Sequence, residues 1–540
     1  MVFVKNISTK LILWGLVLTI TFFSISTFSL FSSSLDDIIK EQKKDNDELG
    51  RENKEYNFYL EKGKKCIIQH NFNKAINYFT IAIGLKPNDP SAYVLRGVSF
   101  KSDGRDDQAF KDCNQAIKLG TRDYLVFVTL GLLNYEKHKY NNAIENFNKA
   151  IVFRPEDPFI YYSRGNIYMD IKNYLKAIKD YTKAIELDKS NAEYYYCRSK
   201  VYFLLGDCEA ALKDINTAII LEPKANNLYY YLRSDIFYWG KGDYNHSIED
   251  LKKAIKYINT FKKNSVKTSY PKKYITNPLK EKNEIIIILV PRITMAGRYD
   301  EALAWIKRIN PKTYISTLLK SEILLQKGKY KDVIKDMSRL INIGFNKDPF
   351  VYFNLGKSYY ELGNLTQAEE NIKEAINSDT VSEGLIENHF LLLHLYEEKN
   401  SKNDAKEIVK LMENQIINNI EEYPNKRWYW KENLTFLYAK SNVDITKALN
   451  LGLQVVKHRP CWDSYLNLGL IYLKMENNIM SVRSLEKAQA LNPNNAWIWY
   501  YLGLARKELN QMKAAKYAWE QGLKINPNHR FIKEELEKIK

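Results

Sequence analysis

The chain has 540 residues and a formal net charge of +17, from 81 Lys and Arg against 64 Asp and Glu, with only 14 Pro and 22 Gly. One packed core does not grow to this length without dividing, whereas a stack of small units does, and the scarcity of Pro and Gly favours helices. Five cysteines, odd in number and without paired zinc-ligand spacing, exclude a disulfide framework; Cys66 and Cys113 read as buried thiols.

No side chain from Leu11 to Phe31 is charged, and a helix of these 21 residues is long enough to cross a bilayer. Residues 1–35 therefore read as an N-terminal transmembrane anchor whose partner is the lipid bilayer. A cleaved signal peptide followed by secretion is the alternative, since Lys5 and Lys10 precede the run and Ser24, Ser26 and Ser32 supply small residues for cleavage. Residues 36–55, rich in Lys, Asp, Glu and Asn, form a polar spacer.

Residues 56–258 form a first array of about six repeats, clearest in the 34 residues Pro158–Asn191. Asp157 can cap a helix that starts at Pro158, where a missing N–H costs nothing. A second helix follows from about Tyr174 to Leu187, with Leu175, Ile178, Tyr181 and Ile185 expected on its apolar face. Gly165 and Ala177 lack bulk where two helices cross at roughly 8 to 10 Å. These landmarks return with the same period: Gly63, Ala75, Phe79, Ala82 and Pro87; Gly97, Ala109 and Ala116; Gly131, Ala143, Phe147, Ala150 and Pro155; then Ser199, Ala211, Ala218 and Pro223. A sixth unit keeps Ala254 but carries an extra residue near Gly240 to Gly242. Arg96, Arg164 and Arg198 recur just before the Gly or Ser landmark, in a place that suits structural use.

Residues 259–283 bring Lys262, Lys263, Lys267, Lys272, Lys273, Lys280 and Lys282 against the lone acid Glu281, and read as an exposed basic linker. The second array, residues 284–529, holds about seven repeats. It is worn at 284–347, recovers around Gly356, Ala368 and Ala375, is ambiguous over 386–428, and is regular again through Gly469, Ala488, Gly503, Ala515 and Pro527. Residues 530–540 carry a charged face and suit a capping helix.

The set Tyr161, Gly165, Tyr168, Ala177, Tyr181 and Ala184, with its period, resembles the tetratricopeptide repeat signature. The resemblance implies an all-α fold, a right-handed α-solenoid of about 12–13 helix-turn-helix hairpins, in which first helices line a concave groove that takes partner proteins or peptides. Carrying the groove-facing places across gives Phe159, Tyr162, Asn166 and Met169 in the fourth repeat, Tyr196, Lys200 and Phe203 in the fifth, and Tyr229, Leu232 and Trp239 in the sixth. The family's carboxylate clamp is not matched, because Cys197 stands where a second asparagine is required after Asn166, and its asparagine ladder survives only at Asn354 and Asn467.

No catalytic constellation emerges. His389 and His394 stand five apart where a helical zinc pair wants four, and Gly240-Lys241-Gly242 lacks the third glycine of a dinucleotide loop. The expectation is a membrane-tethered scaffold for partner polypeptides, not an enzyme, with no cofactor and no metal. A basic helical-repeat protein contacting nucleic acid or an anionic membrane surface is the alternative suggested by the net charge.

Overall fold

The computed structural model describes residues 51–223, 227–265, 278–309, 313–378, 385–441 and 444–539. The anchor expected at Leu11–Phe31 lies outside them, as do most of the spacer and residues 266–277 of the linker. Among the described residues there are 27 α-helices and no strand. They pair into thirteen hairpins at 51–85, 90–118, 124–153, 158–187, 192–221, 227–265, 278–306, 314–342, 349–378, 385–422, 427–458, 462–491 and 496–525, and Arg530–Glu537 caps the stack. Each hairpin packs on the next, so apolar faces too wide for one hairpin are buried by its neighbours.

Local chemistry starts and stops these helices where the sequence suggests. Asp89, Asp157 and Asp348 each cap a helix beginning with Pro, and the Phe159 N–H donates to the Asp157 carboxylate at 2.9 Å. The turn inside each of the first five hairpins uses one left-handed residue, at His70, Gly104, His138, Lys172 and Gly206. Within hairpin 4, a Cβ added at Gly165 would stand 2.9 Å from the Tyr181 ring, and Ala177 and Ala184 are fully buried. Leu175 departs from expectation: it is 77% exposed. It lies two places before Ala177, which on a helix is nearly the opposite side.

The recurring arginines have partners sixteen positions on. Arg96, Arg164 and Arg198 fork onto Asp112, Asp180 and Asp214 at 2.7–2.9 Å, and each reaches the second helix of the preceding hairpin through Thr80, Asn148 or Thr182. One side chain thus ties three helices together, and the bidentate geometry fixes their spacing. In hairpin 6 the pair Arg233–Asp250 is seventeen apart. The extra residue is absorbed by a π-helical turn at Ile236–Lys241, the wider winding that an inserted residue forces.

The worn stretches are also hairpins. The apolar run Ile285–Val290 and Pro291 lie inside the helix Pro278–Met295, and 385–422 forms one hairpin with a long second helix. Helices enter the expected linker from both sides, since Tyr244–Ser265 runs past residue 259 and Pro278–Met295 begins before 283. Arg292, fully buried, bridges the two arrays: it donates to the Ser247 hydroxyl at 2.8 Å, bonds Ser234 and Asp235, and lies 4.6 Å from the Tyr238 ring centre.

The stack winds back onto itself. The Pro424 carbonyl oxygen stands 2.6 Å from where a Cβ would sit on Gly206 of hairpin 5, and Cys461 stands 2.7 Å from the same place on Gly242 of hairpin 6. Gly297 of hairpin 7 meets Asn492, and Gly328 of hairpin 8 meets Asn526. The first three of these turns rest on the loop between the fifth and sixth hairpins further on, and the fourth on the loop between hairpin 13 and the capping helix. Two Asn-Pro-Asn loops clasp the last two: Asn494 and Asn528 side chains donate to the carbonyls of Gly297 and Gly328, both at 3.0 Å. Tyr299 donates to the Asn494 carbonyl at 2.8 Å, and the Trp462 indole to that of Met295 at 3.0 Å.

Candidate functional site

First helices face the inside of the winding, so the ten groove candidates of hairpins 4 to 6 should share a surface, and aromatic contacts join several of them. The ring of Tyr162 lies 5.2 Å from Tyr194 and 6.2 Å from Tyr181; Tyr196 lies 5.2 Å from Tyr229. Phe159, Tyr162, Asn166, Tyr196, Phe203, Tyr229, Leu232 and Trp239 are buried, whereas Met169 and Lys200 are half-buried. Asn166 accepts a hydrogen bond from the Tyr181 hydroxyl at 2.6 Å, and Trp239 packs on Tyr429 from the next turn of the winding at 5.4 Å. Eight of the ten therefore pack inside the stack, and Met169 and Lys200 alone among them keep part of their surface open. Beside them, burial and the nearby Glu222 push the Glu193 carboxyl up to about 7.

A cavity of about 290 Å³ opens among the first helices of the second array. It has aromatic walls from Phe353, Tyr360, Phe390, Phe436, Trp462, Trp497 and Tyr501, with the carboxylates of Glu361, Glu387, Glu432 and Asp463 and the ammonium of Lys357 set among them. Helical spacing makes this possible: Glu387, Phe390, Leu391 and His394 follow i, i+3, i+4, i+7 on one helix and so share one face. Sequence reading stopped short of this lining. The register used for hairpin 4, carried to hairpin 9, picks out Phe353, Lys357 and Tyr360, so the signal was present in the repeat itself.

Electrostatics sharpen the picture. Burial raises the Glu361 carboxyl, which accepts from the Tyr330 hydroxyl at 3.3 Å, and burial lowers the His394 imidazole well below its ordinary range. Behind one wall, Glu432, Cys461 and Asp463 bring donor atoms within 4.8 Å of one another. A cation already sits there: the fully buried Arg459 guanidinium bonds Glu432, lies 2.9 Å from the Cys461 sulfur and 3.7 Å from Asp463, and donates to Tyr244 at 3.2 Å. The cluster is a buried ion network tying hairpin 6 to hairpins 11 and 12, and burial pushes the Cys461 thiol well up, away from the thiolate a metal would need.

Comparison with known proteins agrees with this architecture. A TPR repeat model matches residues 131–172 and 165–206, and a tetratricopeptide repeat model matches 229–260, 351–380 and 463–495. Hairpins 3, 4, 6, 9 and 12, with the first helix of hairpin 5, thus match tetratricopeptide repeats. The chain is similar to Protein O-mannosyl-transferase TMTC3 of Homo sapiens, 30% identical over 101 residues, which are 18% of this chain and 11% of that protein. The match therefore spans about a tenth of the curated relative's length. Among solved structures, the APC/C hetero-tetramer Cut9-Hcn1 is 14% identical, covering 91% of this chain and 96% of that one with a TM-score of 0.34. The MamA crystal structure is 23% identical, covering 30% and 95% with a TM-score of 0.28, and YrrB, titled a TPR protein with an unusual peptide-binding site, is 17% identical, covering 36% and 94% with a TM-score of 0.28.

Proposed function

We propose that this chain, built on tetratricopeptide repeats, is a scaffold that seats a segment of a partner polypeptide against its first helices, in the cavity of the second array. One observation carries the reading: the walls at Phe353, Phe436, Trp462 and Leu466 leave space where an apolar anchor fits, with polar groups placed to orient it. The nucleic-acid reading is not favoured, because Arg96, Arg164, Arg198 and Arg233 are engaged with aspartates of the chain itself. The groove candidates of hairpins 4 to 6 extend the proposed surface, with Met169 and Lys200 the half-buried members.

A photo-cross-linking residue at Leu466, inside the cavity, should trap the partner segment in native extracts, while the same residue at Leu175, on the outside, should not. Equal trapping at both places would remove the cavity from the proposal. Tethering to a membrane through Leu11–Phe31 belongs to the same reading. It predicts that the native protein stays in the pellet after alkali extraction, and release by alkali would discard the tether. No helix among the described residues is long and apolar enough to cross a membrane, so the tether would reside in that segment.

A further inference from the structure

We infer that the seam where hairpin 6 meets hairpin 11 binds a phosphate group, held by Arg427, Lys431, Lys457 and His458 of hairpin 11 together with Lys241 of hairpin 6. None of these residues lines the cavity of the second array, so the site is independent of the polypeptide seat.

Trp428 is the platform on which the site is built. On the helix Arg427–Ser441, Lys431 follows Trp428 by three places and shares its face, and the Lys431 ammonium lies 4.7 Å from the Trp428 ring centre. His458, the last residue of the helix Ile445–His458, stacks on the same ring with centroids 4.0 Å apart and planes 12° from parallel. Lys457 precedes it, and Arg427 opens the first helix. From the other turn of the winding, Lys241 ends the π-helical turn of hairpin 6. A Cβ on Gly242 beside it would stand 3.0 Å from the side chain of Arg459, the neighbour of His458. Two turns of the winding thus deliver cations to one place.

Charge is unbalanced there. Arg96, Arg164, Arg198 and Arg233 each pair with an aspartate, whereas among the described residues no carboxylate pairs with Arg427, Lys431, Lys457 or His458. Lys241 alone reaches an acid, the exposed Glu209. Burial, then the charges of Lys457, Lys241 and Lys431, hold the His458 imidazole below its ordinary range, and burial with Arg427 lowers the Lys431 ammonium. Like charges gathered with no acid between them cost free energy that an anion removes. A carboxylate balances one cation. A phosphate monoester carries about two charges at neutral pH and three strong acceptor oxygens, enough for several of these donors at once. Arg427, Lys457 and His458 are exposed, so a ligand reaches them without opening the fold.

The test is calorimetric titration of the full chain with sodium pyrophosphate in about 0.15 M sodium chloride, with the ionisation of His458 followed by NMR. Pyrophosphate should bind and should raise the pKa of His458. Lys431→Gln with Lys457→Gln, checked for unchanged helix content by circular dichroism, should weaken binding at least about tenfold. Glu209→Gln, which releases Lys241, should tighten it about threefold. A second arm floats the chain on phosphatidylcholine vesicles with and without phosphatidic acid, whose headgroup is a phosphate monoester. Flotation that needs phosphatidic acid and is lost in the double variant, without pyrophosphate binding, would assign the phosphate to a lipid headgroup; pyrophosphate binding without such flotation would assign it to a soluble ligand. Failure of both arms, or binding that the double variant leaves intact, would overturn the site.

Discussion

Hairpin 4 packs between hairpins 3 and 5, whereas hairpin 7 packs between 6 and 8 and also bears the loops that precede hairpins 12 and 13. The first keeps every landmark of the repeat; the second is among the most worn. A repeat pattern encodes contacts with the neighbours before and after. A hairpin that must also satisfy a surface arriving from the next turn carries residues whose partners lie far along the chain, such as Trp239 against Tyr429 and Arg459 against Tyr244, with Trp239 and Arg459 almost wholly buried. Wear in the sequence coincides with closure at hairpins 7 and 8 but not at hairpin 5, which keeps its landmarks although Gly206 meets Pro424, so wear need not mean weakness in the fold.

The largest effect should come from the aperiodic side of this comparison. Arg459→Ala leaves the buried Glu432 and the partly buried Asp463 without their guanidinium and should cost about 3–5 kcal/mol in urea denaturation, with loosening centred on hairpins 6, 11 and 12 in hydrogen exchange. A loss confined to hairpin 11 would mean that the two turns of the winding are not energetically coupled. Next come paired glycines. Gly328→Ala meets Asn526 at a left-handed turn and should cost about 2–4 kcal/mol, whereas Gly104→Ala, also left-handed but facing open space, should cost about 1 kcal/mol. Similar losses would show that backbone strain alone, and not closure, requires the glycine.

On the periodic side, Arg164→Ala breaks a half-buried fork onto Asp180 and should cost about 1–3 kcal/mol, felt in hairpins 3 and 4, where the fork and Asn148 lie. Tyr162→Ala, intended to probe the groove, also removes packing against Tyr181 and Tyr194, so its effect on binding has to be compared with its melting temperature. The smallest effect concerns pH. The folded-state pKa of Glu193, about 7, lies above the usual carboxylate value, so protonation favours the folded chain; that stability is full below about pH 4.5 and is lost as pH rises through 7. Glu193→Gln should therefore raise the melting temperature at pH 8 by a few degrees and change it little at pH 4.5. A gain of equal size at both pH values would place the cause elsewhere.

The hairpins were legible because Gly, Ala and aromatic landmarks report on the crossing of two adjacent helices, a local event that a 34-residue window contains. The arginines were noticed, but their acids were not, although Asp112, Asp180 and Asp214 recur with the same period. The groove was placed in hairpins 4 to 6, where aromatic letters are densest. The structure opens a partly open cavity in hairpins 7 to 13, where the same register holds a mixture of rings and carboxylates. Density of aromatic residues is a poor guide because large side chains can fill a space as readily as they can line one.

By itself, the sequence determined a helical solenoid of stacked hairpins, since each unit's apolar periodicity can be buried only by a neighbour. Tertiary structure decided that the solenoid returns to touch itself, that Gly206, Gly242, Gly297 and Gly328 are bearing points, and that rings and charged side chains of the second array gather around one cavity. The return depends on a small rotation between successive hairpins, accumulated over five to six of them, and no single repeat contains enough chain to specify that sum.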